Sequence, residues 1–429
     1  MKSTIAVILA AGRGTRMKSD TPKVMHQILG LPMIWYVVDS VRKAGVKRIV
    51  LVTGFGGRSV EEFFRGTGVK TVIQKKLLGS GDAVNTAKKE IAGSGGDCLV
   101  VYGDTPLISA RTLKRLMEKH SAASASMTLL TATLKNPSGY GRIIRNTEGR
   151  IIKIAEDDEA KAYKKEIKEI NVGTCVIRSK DLFDVLKKIG CDNTKKEYYL
   201  TDAVKILSGE GKSVESVSIE DPDEMIGVNS RAELARATSC VKNRVLDELM
   251  ISGVTVQDPA TTIVYPGAKI GKDSVIYPNT IIESDVLVGE SCHIGPFARL
   301  RPGTEIADKA EVGNFVELVR TKIGESTKVK HHTYLGDASV GRNVNIGAGT
   351  ITANYDGKNK SRTVIGDGAF VGVGTILIAP VKIGKRAMTG AGTVLLKGHN
   401  IKDGATAVGV PARILERRRN ERRKLGRRG

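Results

Sequence analysis

Aromatic side chains are scarce, at 4% of 429 residues with a single tryptophan, so small aliphatic residues must build the cores. Cysteine is also rare. Cys98, Cys175, Cys191, Cys240 and Cys292 are odd in number and far apart, with no paired spacing, which excludes a disulfide framework and a zinc finger. Cys98 and Cys175 fall in apolar runs and read as buried free thiols. No apolar run reaches the length of a membrane span, and Met1-Lys2-Ser3 leads straight into the first strand with no signal peptide. These absences lead to the expectation of a cytoplasmic protein without membrane insertion. Negative charge is in deficit: 68 Lys and Arg against 46 Asp and Glu give +22. Residues 417–429 carry +7 of that, with no aromatic residue interleaved for base stacking. A solvated basic tail over residues 413–429 is therefore expected, and nucleic acid is not the expected partner.

The chain is organised around Leu9-Ala10-Ala11-Gly12-Arg13-Gly14-Thr15-Arg16-Met17, closely followed by Pro22-Lys23. An apolar strand ends in two glycines, where backbone amides can approach an anion. Arg13, Arg16 and Lys23 add positive charge suited to a polyphosphate. The glycine spacing is neither the dinucleotide fingerprint nor the P-loop. Strand-like runs at Thr4–Ala10, Arg48–Thr53, 69–74, 98–102 and 127–134 alternate with helix-like stretches. That alternation predicts a doubly wound, mostly parallel sheet whose ligands gather beyond the carboxyl ends of the strands. Leu78-Gly79-Ser80-Gly81-Asp82-Ala83 and Tyr102-Gly103-Asp104 lie just there. Asp104, opposite a phosphate loop, is a candidate metal ligand, since Mg²⁺ takes few protein oxygens and completes its shell with phosphate and water. A structural cap is the alternative for that carboxylate.

Ser230 and Glu233 form a capping box. Leu234, Ala237, Val241, Val245 and Leu249 then recur at helical spacing up to Gly253, so residues 230–253 read as a linker helix. Beyond it a period of six sets in, with aliphatic residues at Ile270, Ile276, Ile282, Val288, Ile294, Leu300, Ile306, Val312 and Leu318. After slips the series resumes at Ile323, Val329, Leu335, Val340, Ile346, Ile365, Val371, Leu377 and Ile383. Three six-residue sides per coil predict a triangular parallel β-helix. Residues 353–363 break the period and are expected to leave the coil as a loop. His331 and His332, between inward Val329 and Thr333, should face outward. Imidazole suits the base role that an amine acceptor requires. His26, His120, His293 and His399 have no such context.

The motifs quoted so far, with Pro22-Lys23-Val24-Met25-His26, Gly139-Tyr140-Gly141-Arg142, Glu169-Ile170-Asn171-Val172-Gly173, Glu197-Tyr198-Tyr199-Leu200-Thr201-Asp202 and Gly227-Val228-Asn229, occur in a characteristic order. So do Phe297-Ala298-Arg299-Leu300-Arg301-Pro302-Gly303, His331-His332-Thr333-Tyr334-Leu335-Gly336-Asp337, Asn345-Ile346-Gly347-Ala348-Gly349-Thr350 and Asn354-Tyr355-Asp356-Gly357. The chain resembles bacterial bifunctional N-acetylglucosamine-1-phosphate uridylyltransferases/glucosamine-1-phosphate acetyltransferases over about residues 3–412. The resemblance implies an α/β nucleotidyltransferase domain over residues 1–229 and a left-handed β-helix acetyltransferase domain over residues 254–412, in a homotrimer.

For the first domain the resemblance implies that Leu9, Ala10, Ala11, Gly12, Gln74, Gly79 and Ser80 hold UTP and that Arg16 and Lys23 neutralise phosphate. It also implies that Asp104 and Asn229 hold Mg²⁺, while Tyr102, Gly103, Gly141, Glu156 and Asn171 line the sugar site. For the second, it makes His331 the base and puts Arg301, Tyr334, Asn345 and Lys360 around glucosamine 1-phosphate. Ala348, Asn354, Tyr355 and Ala391 would border acetyl-CoA. Three positions depart from the family. Val319 replaces a lysine beside the substrate phosphate, with Arg320 or Lys322 as substitute cations. Val373 replaces a serine near the acyl donor, and Gly409 falls where arginine is common. A sugar-phosphate nucleotidyltransferase with a purely trimerising β-helix is the rival reading, and a nucleic-acid-binding protein is a second rival.

Overall fold

The computed structural model describes residues 4–92, 95–156, 167–191, 193 and 196–415, so most of the basic tail lies outside the described residues. The chain forms two compact units, Met1–Val241 and Lys242–Gly429. Their division falls within one helix rather than on either side of it.

In the first unit, besides a short hairpin of Gln27–Ile28 with Leu31–Pro32, the strands of the main sheet are β1 (Thr4–Ala10), β2 (Arg48–Thr53), β3 (Lys70–Ile73), β4 (Asp97–Tyr102), β5 (Met127–Thr133), β6 (Arg142–Arg145), β7 (Ile151–Ala155), β8 (Glu169–Arg178) and β9 (Val214–Ser218). Among the described residues they form one sheet, in the order β9-β5-β8-β4-β1-β2-β3, with the β6–β7 hairpin attached to β8. The central pairs β1–β2, β1–β4 and β2–β3 are parallel, as the buried aliphatic runs predict. β8 runs antiparallel to both β4 and β5. The register sets Leu9 beside Val52 and Tyr102, and the Gln74 amide donates to the Thr53 carbonyl. Three strands therefore end together, and the residues that follow them share one rim. Cys98 and Cys175 are buried, and desolvation raises both thiols, that of Cys175 to about 12.

Four helices matter for the sites: α1 (Met33–Lys43), α2 (Ser80–Thr86), α3 (Ala110–Ala122) and α4 (Arg231–Ile251). α4 starts at the capping box: the Glu233 amide donates to Ser230 Oγ, and Ser230 Oγ donates to Glu233 Oε2 at 3.0 Å. Ala237 and Val241 are buried as expected. Further along, Leu246 is fully buried while Val245 and Leu249 pack at its side.

The second unit is a parallel β-helix. Among the described residues its short strands stack into three sheets, one per face of the coil. Every aliphatic position of the six-residue period lies in one continuous core, Ile270 at its margin. Coils repeat at 18 residues near the start, tighten to 17 around His331, and stretch to 25 where the loop leaves. The loop is closed by a bridge between Tyr355 and Lys360. The basic tail was expected from residue 413, but Arg413–Leu415 forms a strand antiparallel to Thr406–Val408. The aliphatic pair Ile414-Leu415 interrupts the charge there and allows pairing with the last edge.

Glycine columns run through the β-helix because successive coils touch. A Cβ on Gly324 would lie 2.4 Å from the Gly341 backbone one coil on, a contact no rotamer can relieve. Gly324→Ala is expected to cost roughly 1–3 kcal/mol by overpacking. The check is thermal unfolding, in which the transition of the second unit should move to lower temperature while that of the first stays where it is.

Candidate active sites

The shared strand rim of the first unit opens into a cleft of about 430 Å³ lined by Leu9, Ala10, Ala11, Gly12, Arg13, Lys23, Val24, Gln74, Leu77, Gly79, Ser80, Ala83, Tyr102, Asp104 and Glu197. Gly14 is the glycine that the turn requires: its φ is 62°, and a Cβ would lie 2.6 Å from Lys23 Cβ. Its bareness lets Lys23 fold in against the loop. Gly79, at φ 104°, lies under the Tyr198 carbonyl, 2.6 Å from where a Cβ would be. The Gly81 amide donates to that same carbonyl, and the Tyr198 amide donates to Leu78. Residues 78–81 are thereby clamped by the segment that brings Glu197 to the cleft.

Lys23 Nζ lies 2.5 Å from Asp104 Oδ2 and 3.0 Å from Asn229 Oδ1, so the two expected metal ligands converge on one cation. Asn229 is held in that sense. Its Nδ2 donates to the Gly227 carbonyl, leaving Oδ1 to accept, and its amide donates to Glu233 Oε2 at 2.8 Å. The Val228 amide donates to the Asp104 carbonyl at 2.8 Å, fastening the two segments together. An all-oxygen pair already gathered around a positive charge fits a hard divalent ion whose remaining ligands are phosphate and water. Among the described residues no cluster of three or more His, Cys, Asp or Glu is arranged as a metal cage.

The expected sugar-side residues meet around Tyr102. Gly173 has φ 95°, and its missing side chain makes room for the Tyr102 ring, 2.7 Å from where a Cβ would lie. Burial pushes the Tyr102 phenol up to about 12, so near neutrality it remains an O–H group. The Asn171 amide donates to the Gly141 carbonyl at 2.9 Å, and its Oδ1 accepts from the Gly173 amide at 3.1 Å. Glu156 accepts from Thr201 Oγ1 at 2.8 Å, with its other oxygen beside Gly141. The Gly103 amide donates to the Leu9 carbonyl, joining the ends of β1 and β4. Gly103, Gly141, Glu156, Asn171 and Asn229 are not among the residues that line the cleft, although Asn229 bonds to the lining residue Lys23. Arg16 is exposed on the turn Thr15–Met17 and is not among the lining residues.

In the second unit His331 is exposed at the end of Lys328–His331, while Val329 and Thr333 point into the core, the outward direction expected for it. Its Nδ1 lies 3.0 Å from Asn314 Oδ1. An amide oxygen only accepts, so in the neutral ring the proton belongs on Nδ1 and the lone pair on Nε2. Thr333 Oγ1 and the Gly349 amide both donate to the His331 carbonyl. A hollow of about 430 Å³ lies beside the ring, with Tyr277, His293, Glu311, Asn314 and Lys330 in its wall. Asn314 was not singled out from sequence, and a 17-residue coil is the only signal that could have paired it with His331.

Asn345 follows His331 on the same face, whereas Arg301 and Tyr334 belong to the neighbouring face. Arg301 donates to Glu317 Oε1 at 3.0 Å. Tyr334 Oη and Asn354 Nδ2 both pass above Gly336, each 2.7 Å from where a Cβ would be. Asn354 is buried, while Tyr355, Lys360 and Ala391 are exposed and Ala348 is half-buried. Val319 is buried in register with Gly336. The substitute cations are already engaged: Arg320 forms a two-point pair with Asp337 at 2.6 and 2.8 Å, and Lys322 pairs with Glu305 at 2.8 Å. Arg320 holds the Asp337 carboxyl below its usual range, helped by Asn354.

Two family models match the chain, the MobA-like NTP transferase domain over residues 6–196 and the bacterial transferase hexapeptide (six repeats) over residues 362–397. The relatives it matches include several that carry the name bifunctional protein GlmU. That of Carboxydothermus hydrogenoformans is 45% identical, covering 91% of this chain and 94% of its own. That of Pelotomaculum thermopropionicum is also 45% identical, over 88% and 90% respectively. That of Geobacillus thermodenitrificans is 42% identical, over 92% and 93%. Identity at this level across nearly the whole of both chains extends through both units. The chain belongs to the GlmU family of bifunctional proteins, and its units are the nucleotidyltransferase and the left-handed hexapeptide β-helix of that family.

Proposed function

We propose that the chain makes UDP-N-acetylglucosamine in two steps, acetyl transfer to glucosamine 1-phosphate in the β-helix and uridylyl transfer from UTP in the first unit. The observation that carries the reading is the convergence of Asp104 and Asn229 on Lys23, which with Asp104 lines a cleft whose wall includes Gly12 and Gly79.

In the uridylyl step a phosphate oxygen of N-acetylglucosamine 1-phosphate attacks the α-phosphorus of UTP and the bond to the bridging oxygen breaks, releasing pyrophosphate. No covalent enzyme intermediate is needed, so catalysis is positioning and charge stabilisation. The residue 9–12 backbone, Gln74, Gly79 and Ser80 hold the nucleotide. Arg16 and Lys23 meet phosphate charge, and Tyr102, Gly103, Gly141, Glu156 and Asn171 shape the sugar side. Asp104 and Asn229 would hold Mg²⁺, which supplies charge neutralisation at the phosphates.

In the acetyl step the glucosamine nitrogen attacks the thioester carbonyl, His331 Nε2 takes the amine proton and the thiolate of CoA leaves. Arg301, Tyr334, Asn345 and Lys360 surround the acceptor, and Ala348, Asn354, Tyr355 and Ala391 border acetyl-CoA. With those residues divided between two faces of the coil, a homotrimer in which neighbouring chains complete each other's sites suits the arrangement. The substrates assign the reactions to the cytoplasm.

Val319, Val373 and the engaged Arg320 favour a second reading, a uridylyltransferase whose β-helix only assembles it. Thiol release from acetyl-CoA with glucosamine 1-phosphate separates the two, with pyrophosphate release from UTP and N-acetylglucosamine 1-phosphate run in parallel. Both products are expected. Pyrophosphate without thiol would leave the β-helix a scaffold.

A further inference from the structure

Gln74 is 5% exposed at the wall of the first-unit cleft, and its side-chain amide is turned one way by its neighbours. Nε2 donates to Asp82 Oδ2 at 2.7 Å and to the Gly79 carbonyl at 3.2 Å. A carboxylate and a peptide carbonyl can only accept, so both contacts demand the NH₂ end. The two donors are thereby spent, and what Gln74 has left for a ligand is its carbonyl oxygen. Asp82 sits in the first turn of α2, is not among the residues lining the cleft, and is joined to the lining residue Gln74 by that hydrogen bond.

We infer that Asp82 is a positioning residue that sets which pyrimidine the cleft accepts, by locking Gln74 as a hydrogen-bond acceptor. Uracil presents an N–H at ring position 3 and pairs with such an oxygen. Cytosine presents a bare nitrogen there and an amino group beside it, so two lone pairs would face each other. A site built to pair with an N–H rejects the analogue that lacks it, because the buried partner is left unsatisfied. This inference rests on the cleft being the uridine nucleotide site.

The substitution Asp82→Asn tests it, since the new amide can donate to Gln74 Oε1 and allow the reversed orientation. The full chain is expected to prefer UTP over CTP at least 100-fold in kcat/KM. In Asp82→Asn, where the Gly79 carbonyl still favours the original orientation, that ratio should fall at least fivefold, carried by a lower KM for CTP while kcat with UTP changes less than threefold. Asp82→Ala, which keeps only the Gly79 contact, should lie between. A UTP/CTP ratio within twofold of the parent in both variants overturns the inference. Wild-type protein supplies an arm that needs no folded variant: calorimetric titration with N3-methyl-UTP, which has no N–H, should show affinity at least tenfold below that for UTP, and equal affinity overturns it. Because titration needs no turnover, a protein that prefers UTP in binding yet releases no pyrophosphate would refute the proposed reaction and leave the role of Asp82 standing.

Discussion

Asp104→Ala is expected to lower uridylyl transfer by about 10²–10³-fold, the range seen when a group that stabilises developing charge is removed. Acetyl transfer should remain at the parental rate. The carboxylate is one of two oxygens around the Lys23 ammonium, and its carbonyl also anchors the segment carrying the other, Asn229. The side-chain change removes the first link and leaves the backbone link intact, so the loss should appear in kcat and in the Mg²⁺ concentration required rather than in folding. Pyrophosphate release across a Mg²⁺ titration is the measurement. An unchanged rate would mean that the cation belongs elsewhere.

His331→Ala is expected to cost acetyl transfer about 10²–10⁴-fold, the usual contribution of a positioned base. Uridylyl transfer by the same preparation should be untouched. The ring is exposed and makes its hydrogen bond outward to Asn314, so its removal leaves no cavity in the aliphatic core. Thiol release from acetyl-CoA reads the effect. Loss of both reactions in a folded protein would defeat the two-site arrangement.

Much of this was legible in the sequence, for identifiable reasons. Buried parallel strands are continuous aliphatic runs, so their ends could be read, and ligand residues follow strand ends. The six-residue period exposed the β-helix because each inward side chain meets its copy one coil away, which also fixed His331 as outward. Other features left no such trace. β8 reverses direction although its apolar run looks like that of its parallel neighbours, because strand polarity is decided by the connection and not by the pattern. Thr304, Thr321, Thr327, Thr350 and Thr375 are fully buried, which their polarity would not suggest; each hydroxyl bonds to a backbone carbonyl. The engagement of Arg320 with Asp337 and of Gln74 with Asp82 depends on side-chain direction across a turn or between coils. Nearness in sequence to Val319 offered Arg320 or Lys322 as the replacement cation, and sequence order does not show that both are already paired.

The strand Arg413–Leu415 changes what the last coil can offer to another molecule. Every pairing before it within the three stacked sheets is parallel, so each completed coil is a template onto which an identical coil could dock. Such a solenoid, left open, invites end-to-end growth into a fibre. The final turn back lays a strand of opposite polarity over that edge. On that one face the stack therefore ends in three residues of reversed chain, against which an identical coil cannot repeat the parallel register of the pairs before it.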